Sequence, residues 1–158
     1  MKILMVCLGN ICRSPLAEGI LKYKVAQENL GDKVLVASAG TSGWHIDEPP
    51  DPRSIEVAEE HGIHLDSYGR EAISEDFEEF NYIIAMDRDN YSDLKSLPGS
   101  SKDGAAKLFL MRDYDNVGRG LDVPDPYYGG DDGFRHVFEL LDRSCQNLLE
   151  EIKEEYKL

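Results

Sequence analysis

Short apolar runs with little polar alternation divide the chain into units. KILMV (2–6), KVLVAS (33–38), YIIAM (82–86) and AKLFLM (106–111) are rich in Val, Ile and Leu and predict strands buried on both faces. Between them, apolar residues recur every three or four positions. Leu16, Ile20, Leu21 and Val25 follow Ser14-Pro15, and Ile55, Val57 and Ala58 follow Pro52 on the way to Gly62. Asp87 precedes a helical stretch over 88–96 that Pro98-Gly99 ends, and 134–156 carries Val137, Leu140, Leu141, Leu148, Leu149 and Ile152. Proline in a first turn, aspartate as a cap and glycine or proline beyond an end are helix border signals. Strands alternating with helices predict an α/β fold, a single three-layer domain over 1–158 with helices on both faces of a parallel sheet. Two long loops rich in Gly, Pro and aromatics, GTSGWHIDEPPD (40–51) and NVGRGLDVPDPYYGGDDG (116–133), are the expected carriers of binding residues.

Composition narrows the function. Thirty-one acidic residues against seventeen basic ones give a net charge of −14, which argues against nucleic-acid or anionic-membrane partners. Three cysteines, Cys7, Cys12 and Cys145, are an odd number without framework spacing, as expected in a reducing compartment. The apolar run before Gly9 is too short for the core of a signal peptide, and the expectation is a soluble cytoplasmic protein. His45, His61, His64 and His136 fall at no metal-ligand spacing, so no metal is expected.

The segment VCLGNICRSP (6–15) concentrates the chemistry. If 2–6 is a strand and Pro15 opens a helix, residues 7–13 form a turn whose backbone N–H groups and helix dipole face one anion. Gly9 suits a turn conformation closed to most residues, and Asn10 tolerates a left-handed backbone next best. Arg13 can set a planar fork against two phosphate oxygens. A thiol in such an electropositive cup is favoured as the thiolate, which places Cys7 as a nucleophile, with Ser14 able to hydrogen-bond its sulfur. Phosphoryl transfer to sulfur also needs an acid for the leaving oxygen and a base for water. Asp125 in VPDPYYGG is the candidate, since Pro126 stiffens its backbone and Tyr127 and Tyr128 can wall a pocket. Asp122 is its competitor, without that context. Trp44, in a loop flanked by Gly and Ser, is expected to be exposed, and Asp87 is read as a helix cap.

VCLGNICRSP and DPYYG resemble the low-molecular-weight protein tyrosine phosphatases, and AGTSGW (39–44), PDPR (50–53), GIH (62–64), REAISEDF (70–77) and YIIAMDRDN (82–90) resemble that family's motifs in order. The resemblance implies a four-stranded parallel sheet of order 2-1-3-4 with the site at the carboxyl ends of its strands. It implies hydrolysis of phosphotyrosine in proteins or peptides through a phosphocysteine, without metal or cofactor, and competition by inorganic phosphate and vanadate. Cys7 would be the nucleophile, Arg13 the phosphate and transition-state ligand, and Asp125 the general acid and base. Leu8, Gly9, Asn10, Ile11, Cys12 and Ser14 would form the phosphate loop, and Trp44, Tyr127 and Tyr128 the cleft walls. Asn10, Ser14 and Ser38 would form the network holding the loop. The family often has histidine three residues before the arginine matching Arg70, where this chain has Ser67, so the network is expected to be completed differently. The resemblance also implies that Cys12 is a redox partner of Cys7.

Three other readings compete, and particular residues speak to each. Arsenate reductases share such a loop but need a cysteine pair after the third strand, and 80–95 has none. Phosphoarginine phosphatases generally carry threonine where this chain has Ile11. A phosphate-binding module without turnover would be expected to lose the nucleophile or the acid, and both are present.

Overall fold

The computed structural model describes residues 1–158, apart from the side chain of residue 131. Its elements are β1 (Lys2–Cys7), α1 (Arg13–Gln27), β2 (Leu35–Gly40), α2 (Pro52–Glu59), α3 (Asp76–Glu79), β3 (Tyr82–Ala85), α4 (Arg88–Lys95), β4 (Lys107–Leu110), a 3-10 turn (Met111–Tyr114) and α5 (Asp131–Tyr156). The four strands form one parallel sheet, as the apolar runs predict, and its order β2-β1-β3-β4 is the one the resemblance implies. β1 is central, with Cys7 beside Gly40 at its carboxyl end.

Both faces of β1 are covered, which is why its sequence does not alternate with polar residues. Ile3, Met5 and Cys7 share one core with Leu16, Ile20 and Val57 and with the α5 residues Leu141, Cys145 and Leu148. Leu4 and Val6 point to the other, packed with Ile83, Phe77 of α3 and Leu94 of α4. Among the described residues, no helix is long and apolar enough to cross a membrane.

Several borders differ from expectation, among them that of α1, which starts at Arg13, two residues before Pro15. β2 begins at Leu35 because Lys33 and Val34 both return their N–H to the Leu30 carbonyl in a turn, and β4 stops at Leu110 where the 3-10 turn begins. Helix α5 starts three residues before Phe134. The short α3 was not expected: Asp76 is buried and accepts two bonds from Arg70 and one from the Ile73 N–H.

A second buried carboxylate joins the segment after β4 to α5. Asp115 is fully buried and takes bonds from Arg143 at 2.7 and 3.1 Å, from Arg112 at 2.9 Å and from the Val117 N–H at 3.0 Å. Burial alone would raise its pKa, but Arg143, the Val117 N–H and Arg112 together hold it well below the usual carboxylate range. Asp115→Asn is expected to lower the unfolding free energy by about 3 kcal/mol at neutral pH, measured by urea unfolding. Because the folded-state pKa is depressed, this contribution is present above the ordinary carboxylate pKa and is lost as pH falls towards the folded-state value. The gap between variant and wild type should accordingly narrow in acid.

Candidate active site

Helix α1 starts without the side-chain cap that closes α2 and α4. Asp51 caps α2 through the Arg53 N–H, and Asp87 caps α4 through the Asn90 N–H. The N-cap of α1 is Cys12, which makes no side-chain cap bond, and its first turn has no acidic residue. Its first N–H groups and its positive dipole end therefore face the turn from Cys7 to Arg13.

That turn is pinned by Asn10, whose φ of 57° lies in the left-handed region. Its amide donates to Ser14 Oγ at 2.8 Å, its carbonyl oxygen accepts the Arg70 N–H at 3.1 Å, and its own N–H points at Cys7 Sγ, 3.3 Å away. Ser14 Oγ lies 3.1 Å from the same sulfur. Gly9, expected to take the unusual conformation, does not. Its missing Cβ makes room for His45, whose ring would otherwise lie 3.1 Å from that atom. At Gly40 a Cβ would meet the Leu8 carbonyl at 2.8 Å, so the end of β2 can lie directly under the loop.

Arg13, the first residue of α1, has a side chain only 3% exposed. It donates to Asp87 at 2.6 Å and to the Val123 carbonyl at 3.0 Å, and its other nitrogen lies 3.5 Å from Asp125. Burial acts to lower its pKa, but Cys7, Asp87 and Asp125 hold it above the ordinary value. Asp87 is thus both the expected helix cap and the main partner of Arg13. Asp125 is about two-fifths exposed and accepts the Tyr127 N–H at 3.1 Å. Asp122 turns instead to the Arg88 N–H at 3.0 Å.

These groups surround a cavity of about 180 Å³ lined by Cys7, Leu8, Gly9, Ile11, Cys12, Arg13, Trp44, His45, Asp125, Tyr127 and Tyr128. Trp44 and Tyr128 stand out from its rim, 75% and 94% exposed, and Tyr127 meets Tyr128 edge to face at 5.0 Å. Asn10 and Ser14 lie buried in the turn. Ser38 departs from its expected place: its hydroxyl donates to Glu18 of α1 at 2.5 Å, not to the loop network. The backbone N–H of Arg70 completes that network. His45 also lines the cavity, a place that the spacing of the histidines does not mark. Its Nδ1 lies 2.6 Å from Glu48, and its neighbour Trp44 was the available signal. Among the described residues, no cluster of His, Cys, Asp and Glu could hold a metal ion.

The family model for low molecular weight phosphotyrosine protein phosphatase matches residues 2–158. The chain belongs to this family. The human low molecular weight phosphotyrosine protein phosphatase is 40% identical over 148 residues, 94% of this chain and 93% of its own length. A protein tyrosine phosphatase from Entamoeba histolytica, with Hepes in its active site, superposes with a TM-score of 0.91 at 43% identity, covering 100% of this chain and 99% of that one. A drosophila arginine phosphatase has a TM-score of 0.89 at 35% identity, covering 97% of this chain and 98% of its own. As a low molecular weight phosphatase the chain is a hydrolase, and its sheet order is that of the fold its relatives share.

The turn of this phosphatase depends on a left-handed residue that also bonds through its side chain. Asn10→Ala should lose both features and destabilise the fold by about 2 kcal/mol, whereas Asn10→Gly, free of backbone strain, should lose less. Thermal unfolding of the two variants checks the order.

Proposed function

We propose that this phosphatase hydrolyses phosphotyrosine monoesters in proteins or peptides through a phosphocysteine on Cys7, as one domain over 1–158. The observation that carries the reading is the convergence of Cys7, Arg13 and Asp125 on one cavity at an uncapped helix N-terminus. The Asn10 N–H and the Ser14 hydroxyl both lie within hydrogen-bond reach of the Cys7 sulfur. A thiolate only accepts, so Ser14 donates its hydrogen to sulfur while its oxygen accepts from Asn10.

In the first step the Cys7 thiolate forms the S–P bond as the P–O bond to the phenol breaks, and Asp125 gives its proton to the departing oxygen. In the second, Asp125 takes a proton from water as the water oxygen forms a bond to phosphorus and the S–P bond breaks, returning the thiolate to the Ser14 hydroxyl. Arg13, held by Asp87, and the N–H groups of the turn stabilise the charge on the equatorial oxygens in both steps. The thiol lies deep, 2% exposed, beneath Ile11, Trp44, Tyr127 and Tyr128. A flat aryl ester spans that depth better than a short phosphoserine, and apolar Ile11 suits an aromatic ring better than a guanidinium.

Cys7→Ser should abolish turnover while keeping the fold. Asp125→Ala should lower kcat by about 10²–10⁴, and Asp122→Ala far less. Steady-state hydrolysis of phosphotyrosine, phosphoserine and phosphoarginine tests these together with specificity. Turnover in Cys7→Ser, or preference for phosphoarginine, would overturn the reading. Phosphate and vanadate should compete with substrate.

Cys12 takes the redox role. Burial, then the negative charges of Asp51, Cys7 and Asp125, push its thiol up to about 12, so it stays protonated and does not attack phosphate. Peroxide converts the Cys7 thiolate to a sulfenic acid, an S–O bond forming as the O–O bond breaks and hydroxide leaves. The Cys12 sulfur then displaces hydroxide, which takes the Cys12 proton and leaves as water, and a disulfide closes. After peroxide and then dithiothreitol, wild type should recover most of its activity and Cys12→Ser little. Equal recovery would reduce Cys12 to packing.

A further inference from the structure

Arg53 lies outside the cavity walls, yet it joins both halves of the site. Its guanidinium lies flat against Asp51, with Nε and one terminal nitrogen each 3.0 Å from a carboxylate oxygen. The remaining hydrogens reach across to the 124–130 loop, donating to the Tyr127 carbonyl at 3.0 Å and the Gly129 carbonyl at 3.2 Å. The cation stacks over Phe134 of α5 at 4.6 Å and faces the Tyr127 ring at 5.6 Å. On the other side, the Asp51 N–H donates to the Ile11 carbonyl at 2.8 Å, and the Ser54 hydroxyl to the Cys12 carbonyl at 3.2 Å. The turn that holds Cys7 and the loop that holds Asp125 are therefore connected through one side chain.

The ends of that loop are fixed: the Val123 N–H donates to the Met86 carbonyl, the Val123 carbonyl accepts from Arg13, and the Gly130 carbonyl accepts the Gly133 N–H. Between those ends, among the described residues, the polar ties to other parts of the chain are the two from Arg53 and the 3.5 Å contact between Asp125 and Arg13. The contact to Arg13 is weak by distance, and Arg13 must also serve the phosphate. Asp125, in turn, is oriented by the N–H of Tyr127, the residue whose carbonyl Arg53 holds.

We propose that Arg53 is a positioning residue for the general acid: it fixes the Tyr127 backbone, and thereby the Asp125 carboxyl, at the distance from Cys7 that protonation of the leaving oxygen requires. The inference rests on Asp125 being that acid. A proton donor matters most for poor leaving groups, and kcat/KM contains the step in which the P–O bond breaks. Loss of the tether should therefore be selective among substrates, whereas a general loss of stability would lower all rates together.

The test is kcat/KM for a series of aryl phosphates, from phenyl phosphate to dinitrophenyl phosphate, with wild type, Arg53→Met, Asp125→Ala and the double variant. Arg53→Met should lose about tenfold or more with phenyl phosphate and less than about threefold with the dinitrophenyl ester. In the Asp125→Ala background the same substitution should cost less than about twofold, because there is no acid left to position. Arg53→Lys keeps the charge and the stem over Phe134 but not the fork, and should show the same selectivity at smaller size with a thermal midpoint near wild type. A uniform loss across the series, full additivity with Asp125→Ala, or wild-type rates in both Arg53 variants would overturn the inference. The Asp125→Ala arm separates the two readings. No selective loss there ends the acid assignment and the inference with it; a selective loss there beside a flat Arg53→Met profile ends the tether alone.

Discussion

A guanidinium that is only 3% exposed cannot stand alone, since an uncompensated buried charge costs several kcal/mol. Arg13 meets that requirement with Asp87, the Val123 carbonyl and Asp125, and the arrangement of the other elements follows from bringing these groups to one point. β1 delivers the turn and α1, and β3, its hydrogen-bonded neighbour, delivers Asp87 at the start of α4. The Met86 carbonyl holds the Val123 N–H, so the segment carrying Asp125 is anchored to the end of the same strand. The sheet order is thus tied to the chemistry: with β1 and β3 apart, Arg13 would lie buried without its main partner.

The same arrangement explains how a chain of net charge −14 can hold an anion. Net charge acts over a distance that salt screens within about 8–10 Å, whereas a buried cation and the N–H groups of a turn act at contact. Uncapped α1 contributes there because, among the described residues, no side chain caps its first N–H groups. The acidic surface repels polyanions in general and leaves a small, deep site for one oxyanion.

Much of this was legible in the residues. Unbroken apolar runs placed the strands within two residues, and the spacing of Cys7, Arg13, Ser14 and Pro15 located the turn and the helix start. The cap role of Asp87 could be read from its place before α4, but its bond to Arg13, 74 positions away, left no local mark. Arg53 was hidden for the same reason, since its partners lie across the fold in the 124–130 loop. Ser38 bonds away from the loop because a serine inside a covered strand faces whichever helix packs over it, and here that helix offers Glu18. Asn10 and Gly9 exchanged roles because the turn required room for His45 at one position and a bonding side chain at the other.

In a phosphocysteine mechanism phosphorus passes through sulfur, and a rapid acid quench during turnover addresses this without any variant. The enzyme is mixed with an aryl phosphate carrying labelled phosphorus, stopped within the first turnovers and digested. A phosphocysteine on Cys7 should give one phosphoryl group on the peptide that contains Cys7, appearing with the release of phenol and decaying with the release of phosphate. Label on another residue, or phenol and phosphate released together with no label on the protein, would contradict it.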